Sequence, residues 1–112
     1  MKITFLIVAL VFILFDIITG LVKAASTGTT SSSIMRVGLV LKVGEVLAIL
    51  FGYACQFAFP YVDITIPIPM VEAISTYIIL MEAASIIENL TKINPQLETI
   101  LNKIFKKGDS DK

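Results

Sequence analysis

Residues 3–22 read ITFLIVALVFILFDIITGLV, an almost unbroken apolar stretch whose first charged residue is Asp16. A helix needs about 20 residues to cross a hydrocarbon core of ~30 Å. The stretch therefore predicts a transmembrane helix over 3–22. A cleaved signal peptide is the alternative, because Lys2 provides a positive start and residues 23–26 resemble a cleavage site. The acidic Asp16 argues against that alternative, and a signal peptide would leave the later apolar stretches unexplained.

Two further apolar stretches, 37–59 and 70–87, are also long enough to span a membrane. The segment 24–33 before them is rich in Ser and Thr and has no apolar periodicity, which predicts a loop. Pro60 ends the second stretch. Pro67 and Pro69 exclude a helix from 61–69, so an extended connector is expected there.

A last helix is predicted over 95–107, capped by Asn94 and followed by a short tail. It combines an apolar stripe with Lys103, Lys106 and Lys107, and it is too short and too charged to cross a membrane. It should lie on the membrane surface or bind a partner. The sequence thus predicts one all-α membrane domain over 1–112, with three transmembrane helices and a C-terminal amphipathic interfacial helix.

The composition narrows the function classes. The 112 residues are 56% hydrophobic and 16% charged, too few charged residues to cover a soluble domain of this size. An unusually apolar soluble bundle is the alternative, but the apolar residues come in long runs without a polar face. Zero net charge gives no attraction to nucleic acid. With no His, a lone Cys55 in an apolar run and no phosphate-binding loop, we expect no metal, no cofactor and no enzymatic activity.

The positive charges predict the orientation. Lys23 and Arg36 flank the first loop, and Lys92 precedes the C-terminal lysines, whereas the connector 61–69 contains Asp63 and no Lys or Arg. Positive residues favour the cytoplasmic side. We therefore expect an external N-terminus and a cytoplasmic C-terminus.

Each predicted span also has one polar or small face, because its polar and small residues recur at spacings of three and four. Such faces are what membrane helices use to pack and hydrogen-bond. The candidate assembly or pore-lining residues are Asp16, Thr19, Gly20, Lys23, Gly38, Lys42, Glu45, Gly52, Gln56, Ser75, Glu82, Ser85, Glu88 and Asn89.

Four of these residues carry charges that the topology brings to one level. Asp16, Lys42, Glu45 and Glu82 each fall roughly 8–12 Å inside the cytoplasmic end of their spans. We expect Lys42 to be the main cationic partner of the three carboxylates. Two interpretations stay open and are compatible: a buried ion cluster that holds the helices together, or polar faces that line an oligomeric lumen.

Several short stretches resemble the small phage-lysis and toxin-secretion holins of Gram-positive bacteria and their phages. The resemblance lies in Asp16-Ile17-Ile18-Thr19-Gly20 with Lys23, in the Ser-rich loop leading to Gly38 and Lys42, and in Tyr77, Glu82, Ser85, Ile86 and Glu88-Asn89-Leu90. It extends from Asp16 to about Pro95. The chain departs from the family at Asn94-Pro95, where similar proteins have a Gly-x-Pro-type turn, and in the Pro-rich connector 60–69.

The resemblance implies a protein of the bacterial cytoplasmic membrane that forms homo-oligomers and opens lesions. An endolysin or a large toxin then leaves the cell as cargo, without necessarily binding the protein, and no catalysis is involved. Two alternatives belong to other classes. One is a small-solute or ion transporter subunit that uses Glu45 or Glu82 as its membrane carboxylate, and the other is an accessory subunit that binds a larger membrane protein through its C-terminal helix.

Overall fold

The computed structural model describes residues 3–29 and 31–105. Four α-helices follow one another: α1 (Thr4–Thr27), α2 (Ser32–Ala58), α3 (Met70–Ile93) and α4 (Leu97–Phe105), with a 3₁₀ helix at Phe59–Val62. The described residues contain no strand, which confirms the all-helical prediction.

The predicted loop 24–33 is wrong in length. Helix α1 continues to Thr27, and Gly28 ends it in the left-handed region at φ 71°. The hydroxyl groups of Ser26 and Thr27 both donate to the Lys23 carbonyl at 2.9 Å, so these polar side chains are satisfied inside the helix. Ser31 then caps α2 by accepting from the Ile34 N–H at 3.5 Å. Among the described residues of 24–33, only Gly28, Thr29 and Ser31 therefore lie outside the two helices.

The Pro-rich connector is shorter than predicted, because Tyr61 and Val62 of the predicted segment 61–69 belong to the 3₁₀ helix. Pro60 lies in the 3₁₀ helix, and Asp63 after it has a positive φ of 56°. Residues 64–69 have neither helix nor strand, and α3 begins directly after Pro69. The two prolines of this segment lack the N–H groups and the free φ that a helix requires.

The C-terminal boundaries differ from the prediction at both helices. Helix α3 extends beyond residue 87 to Ile93, where Asn94 adopts an extended conformation. The Asn94 side chain accepts from the Gln96 N–H at 3.1 Å, so Pro95 and Gln96 form a turn and α4 begins at Leu97 rather than at 95. Lys106 and Lys107, which the prediction placed in the last helical turn and beside the membrane, lie outside the described residues.

The number of candidate spans is also corrected. Within the described residues, two helices are long and apolar enough to cross a membrane, α1 and α3, and α2 is not among them. The predicted span 37–59 lies within α2, which is long enough but carries Arg36, Lys42 and Glu45 in its first half. Length and composition therefore support two crossings and do not confirm three.

The three long helices pack as an up-down-up unit. Ile78 of α3 shares a core cluster with Ala9 and Ile13 of α1, and further along both helices Asn89 contacts Asp16, so α1 and α3 are parallel. Helix α2 is antiparallel to α3. Lys42 near its start contacts Glu82 near the end of α3. Gln56 near the end of α2 accepts from the Val71 N–H at 2.8 Å.

Burial is the reverse of that in a soluble domain. The centre of the unit holds polar side chains together with a small apolar cluster around Ile49. Large apolar side chains on all three long helices are exposed, far more than a monomeric soluble protein usually displays. Lipid is the solvent in which such a surface is stable, so the packing agrees with a membrane protein.

Candidate functional site

Lys42 is the centre of the polar interior. Its ammonium group donates to Asp16 Oδ2 of α1 at 2.5 Å, and to Glu82 Oε1 and Oε2 of α3 at 2.9 and 3.1 Å. The three side chains are 17%, 9% and 3% exposed, respectively. One lysine on α2 thus joins the other two long helices through charge-assisted hydrogen bonds, which are the strong class.

A second set of hydrogen bonds joins α1 to α3 without Lys42. Ser85 Oγ donates to Asp16 Oδ1 at 2.7 Å, and Asn89 Nδ2 donates to the same oxygen at 2.9 Å and to Thr19 Oγ1 at 3.0 Å. Thr19 in turn donates to the Phe15 carbonyl of its own helix at 2.9 Å. Both Asp16 carboxylate oxygens are therefore satisfied by donors from neighbouring helices.

Glu45 is placed differently from the prediction. Among the described residues it forms no ion pair with Lys42, and its buried Oε1 has no hydrogen-bond partner. Lys42 thus pairs with two of its three predicted partners.

We call Asp16, Lys42, Glu82, Ser85 and Asn89 the Lys42 cluster. Asp16, Lys42, Ser85 and Asn89 of this cluster line a cavity of about 550 Å³ among α1, α2 and α3, which Thr29 and Ser31 also border. Lys23, Gly38 and Glu45 line the same cavity. The cluster is therefore buried from the lipid-facing exterior but adjoins a space at one end of the helix unit.

The other residues predicted to lie on the polar or small faces differ in how closely neighbouring helices pack against them. A Cβ added to Gly20 would lie 3.7 Å from Asn89 Nδ2, and one added to Gly52 would lie 3.3 Å from Ile74 Cδ1 and 3.4 Å from Val71 Cγ2. Gly38 has open space in the same test. Ser75 is fully buried, and its hydroxyl has no hydrogen-bond partner among the described residues.

Glu88 does not join the cluster. Its side chain is exposed and lies 3.7 Å from Lys92 one helical turn later. The neighbouring Asn89 points inward instead, because consecutive helical residues face different sides.

The sequence reasoning overlooked Glu72 at the other end of α3. Its Oε1 is buried without a hydrogen-bond partner among the described residues, and the side chain lines a cavity formed with the connector 64–69. Glu72 precedes Ser75 by three residues, so extending the polar face of α3 by one turn would have identified it.

In the described part of the chain, no group of three or more His, Cys, Asp or Glu side chains is placed to hold a metal ion. The Lys42 ammonium already occupies the position between Asp16 and Glu82 that a cation would take.

Comparison with known proteins gives one result. The model of the bacteriophage holin family matches residues 2–109, nearly the whole chain. No curated protein and no solved structure matches the chain.

Proposed function

We infer the function from one premise: the chain belongs to the bacteriophage holin family, whose model covers residues 2–109. We propose that it accumulates in the bacterial cytoplasmic membrane, assembles into homo-oligomers and opens lesions through which an endolysin or a large toxin leaves the cell. The family match carries this proposal. The geometry of the long helices adds two independent arguments, one for the topology and one for the mechanism.

The packing of the long helices bears on how often the chain crosses the membrane. Helices α1 and α3 both have the length and composition of spans, and they pack in parallel. Two spans that cross in the same direction require the intervening chain to return. Helix α2, with 27 residues and about 1.5 Å per residue, is long enough for that return. We therefore propose three crossings, with the N-terminus outside and the C-terminus in the cytoplasm.

The charges of α2 do not prevent this crossing. An unpaired Lys at the bilayer centre costs about 2.5–3.5 kcal/mol on insertion scales. Lys42 is paired with Asp16 and Glu82, so its charge never faces lipid. Arg36 is exposed but lies close to the start of α2, where a long cationic side chain reaches the interface.

The hydrogen-bonded polar interior bears on how a lesion could open. Every inward-facing polar group of the Lys42 cluster is hydrogen-bonded within one copy of the chain. The exterior beside it consists of exposed apolar side chains such as Leu14, Leu47 and Leu80. A surface of that kind faces lipid and cannot line water. Opening an aqueous lesion therefore requires the helices to separate at the Lys42 cluster and turn its polar groups toward water.

Inducible expression in a bacterium tests the proposed function. We expect an abrupt loss of membrane potential after a period of accumulation, with leakage of a co-expressed cytoplasmic endolysin. An unchanged potential with altered drug tolerance would favour a transporter subunit. No effect of the chain alone on potential or drug tolerance would favour an accessory role.

A further inference from the structure

Helix α4 has an apolar stripe that the rest of the described chain covers only in part. Leu97 and Leu101 are half-buried, whereas Ile100 and Ile104 are 56% and 59% exposed. The spacing of these residues, three and four apart, places them on one side of the helix. One edge of the stripe is thus covered and the other is open.

The charges of α4 are divided between the two edges. Glu98 is three residues before Leu101 and so lies beside the half-buried edge. Lys103 is three residues after Ile100 and lies beside the open edge, where its side chain is exposed. Lys106 and Lys107 follow in the sequence. The open edge is therefore apolar with a cation next to it.

The position of α4 indicates what occupies this edge. It follows α3, a candidate span, after only the turn of Asn94–Gln96, so the stripe lies within a few residues of the bilayer surface. An apolar stripe flanked by Lys is the pattern of helices that lie in the membrane plane. The inner leaflet of a bacterial membrane carries anionic headgroups, which attract Lys within about a Debye length.

We propose that α4 is an in-plane anchor on the anionic cytoplasmic leaflet. Ile100 and Ile104 enter the boundary between headgroups and acyl chains, and the Lys103 ammonium lies among the lipid phosphates. Leu97 and Leu101 keep their half-buried positions on the other edge. This inference rests on the proposed function for the cytoplasmic location of α4, but its readout does not depend on lesion formation.

The test uses the full chain in vesicles, with Cys55→Ala to leave a single reactive thiol. Ile104→Cys carries an environment-sensitive fluorophore, and Thr99→Cys on the opposite side of α4 carries it in the matched control. The vesicles contain phosphatidylcholine alone or phosphatidylcholine with phosphatidylglycerol, plus a nitroxide lipid that quenches near the headgroups. We expect strong quenching at position 104 only with phosphatidylglycerol, and little quenching at position 99.

Charge variants separate the anionic surface from simple hydrophobic contact. Lys103→Gln should lower the inserted-to-free ratio of α4 about fivefold, equivalent to about 1 kcal/mol for one Lys near an anionic surface. Lys103→Arg should retain the insertion because the charge is kept. Equal quenching with and without phosphatidylglycerol, or a label that stays in water in both, would overturn the proposal. The proposal would also be overturned if the label at position 104 became more shielded from water as the protein density in the vesicles rose. That result would indicate that a second copy of the chain covers the open edge of α4.

The two proposals fail in different ways. If position 104 inserts into the vesicles but no lesion forms in cells, the in-plane anchor is supported and the proposed function is contradicted. If lesions form in cells but the label at position 104 stays in water, the proposed function is supported and the anchor is contradicted.

Discussion

Replacing Lys42 by Leu should open the helix unit, because it removes the only cation bonded to Asp16 and Glu82 among the described residues. Removing one partner of a buried ion pair costs about 3–5 kcal/mol, since the remaining charge is left uncompensated. The cavity beside Lys42 lets water reach the site, so we expect the lower end of that range. About 3 kcal/mol corresponds to a roughly 100-fold larger population of separated helices.

The native Cys55 provides the assay. It is 5% exposed and lies on α2, so a thiol reagent reaches it only when α2 moves away from its neighbours. When opening is fast compared with labelling, the labelling rate follows the population of the open state. In detergent micelles, Lys42→Leu should therefore raise the labelling rate of Cys55 about 100-fold by the same free energy.

Lys92→Leu is the matched control, because it removes the same charge from an exposed pair with Glu88. Exposed pairs contribute about 0.2–1 kcal/mol, so labelling should rise no more than about fivefold. The triple variant Lys42→Met, Asp16→Asn, Glu82→Gln should recover much of the protection, since no buried charge is left unpaired. Equal labelling rates in Lys42→Leu and Lys92→Leu would refute the reasoning.

Further substitutions test other contacts of the unit. Gly52→Val should cost about 1–3 kcal/mol by overpacking against Ile74 and Val71, whereas Gly44→Val, with open space around it, should not change the labelling of Cys55. Asn89→Leu removes the donor to Asp16 and Thr19, and it should destabilise the unit by about 1–3 kcal/mol in the same assay. Gly28→Ala should lower helix stability by about 1 kcal/mol, measured by circular dichroism, because its φ of 71° disfavours a side chain. An unchanged rate or an unchanged helix signal in the respective variant would contradict the contact it tests.

The sequence was informative where one physical rule dominates. The apolar stretches predicted the long helices, and the prolines predicted the non-helical connector that the structure has at 64–69. The three-and-four spacing put Asp16, Lys42 and Glu82 on faces that do meet. Each of these conclusions follows from periodicity or from backbone chemistry, which are local properties of the chain.

The sequence was less informative where tertiary contacts decide. The segment 24–33 has a polar composition typical of a loop, but its first part is helical, and the hydroxyl groups of Ser26 and Thr27 there bond to the Lys23 carbonyl. Glu45 lies one turn after Lys42 and yet does not pair with it, because the Lys42 ammonium group donates to Asp16 of α1 and Glu82 of α3. Composition alone does not identify α2 as a span, because it counts the charge of Lys42 without the partners that neutralise it. Those partners, Asp16 and Glu82, lie on α1 and α3.

The central claim is that lesions open by separating the helices at their polar interior. Ser75 tests it most directly, because it is fully buried within that interior. In cells expressing Ser75→Cys with Cys55→Ala, an impermeant maleimide should label position 75 only after the membrane potential collapses. Ser26→Cys on the exposed end of α1 reports when the reagent has entered the cell. The predicted result is that the maleimide labels both positions after the potential collapses. Labelling of position 26 through an open lesion while position 75 stays unlabelled would contradict the claim.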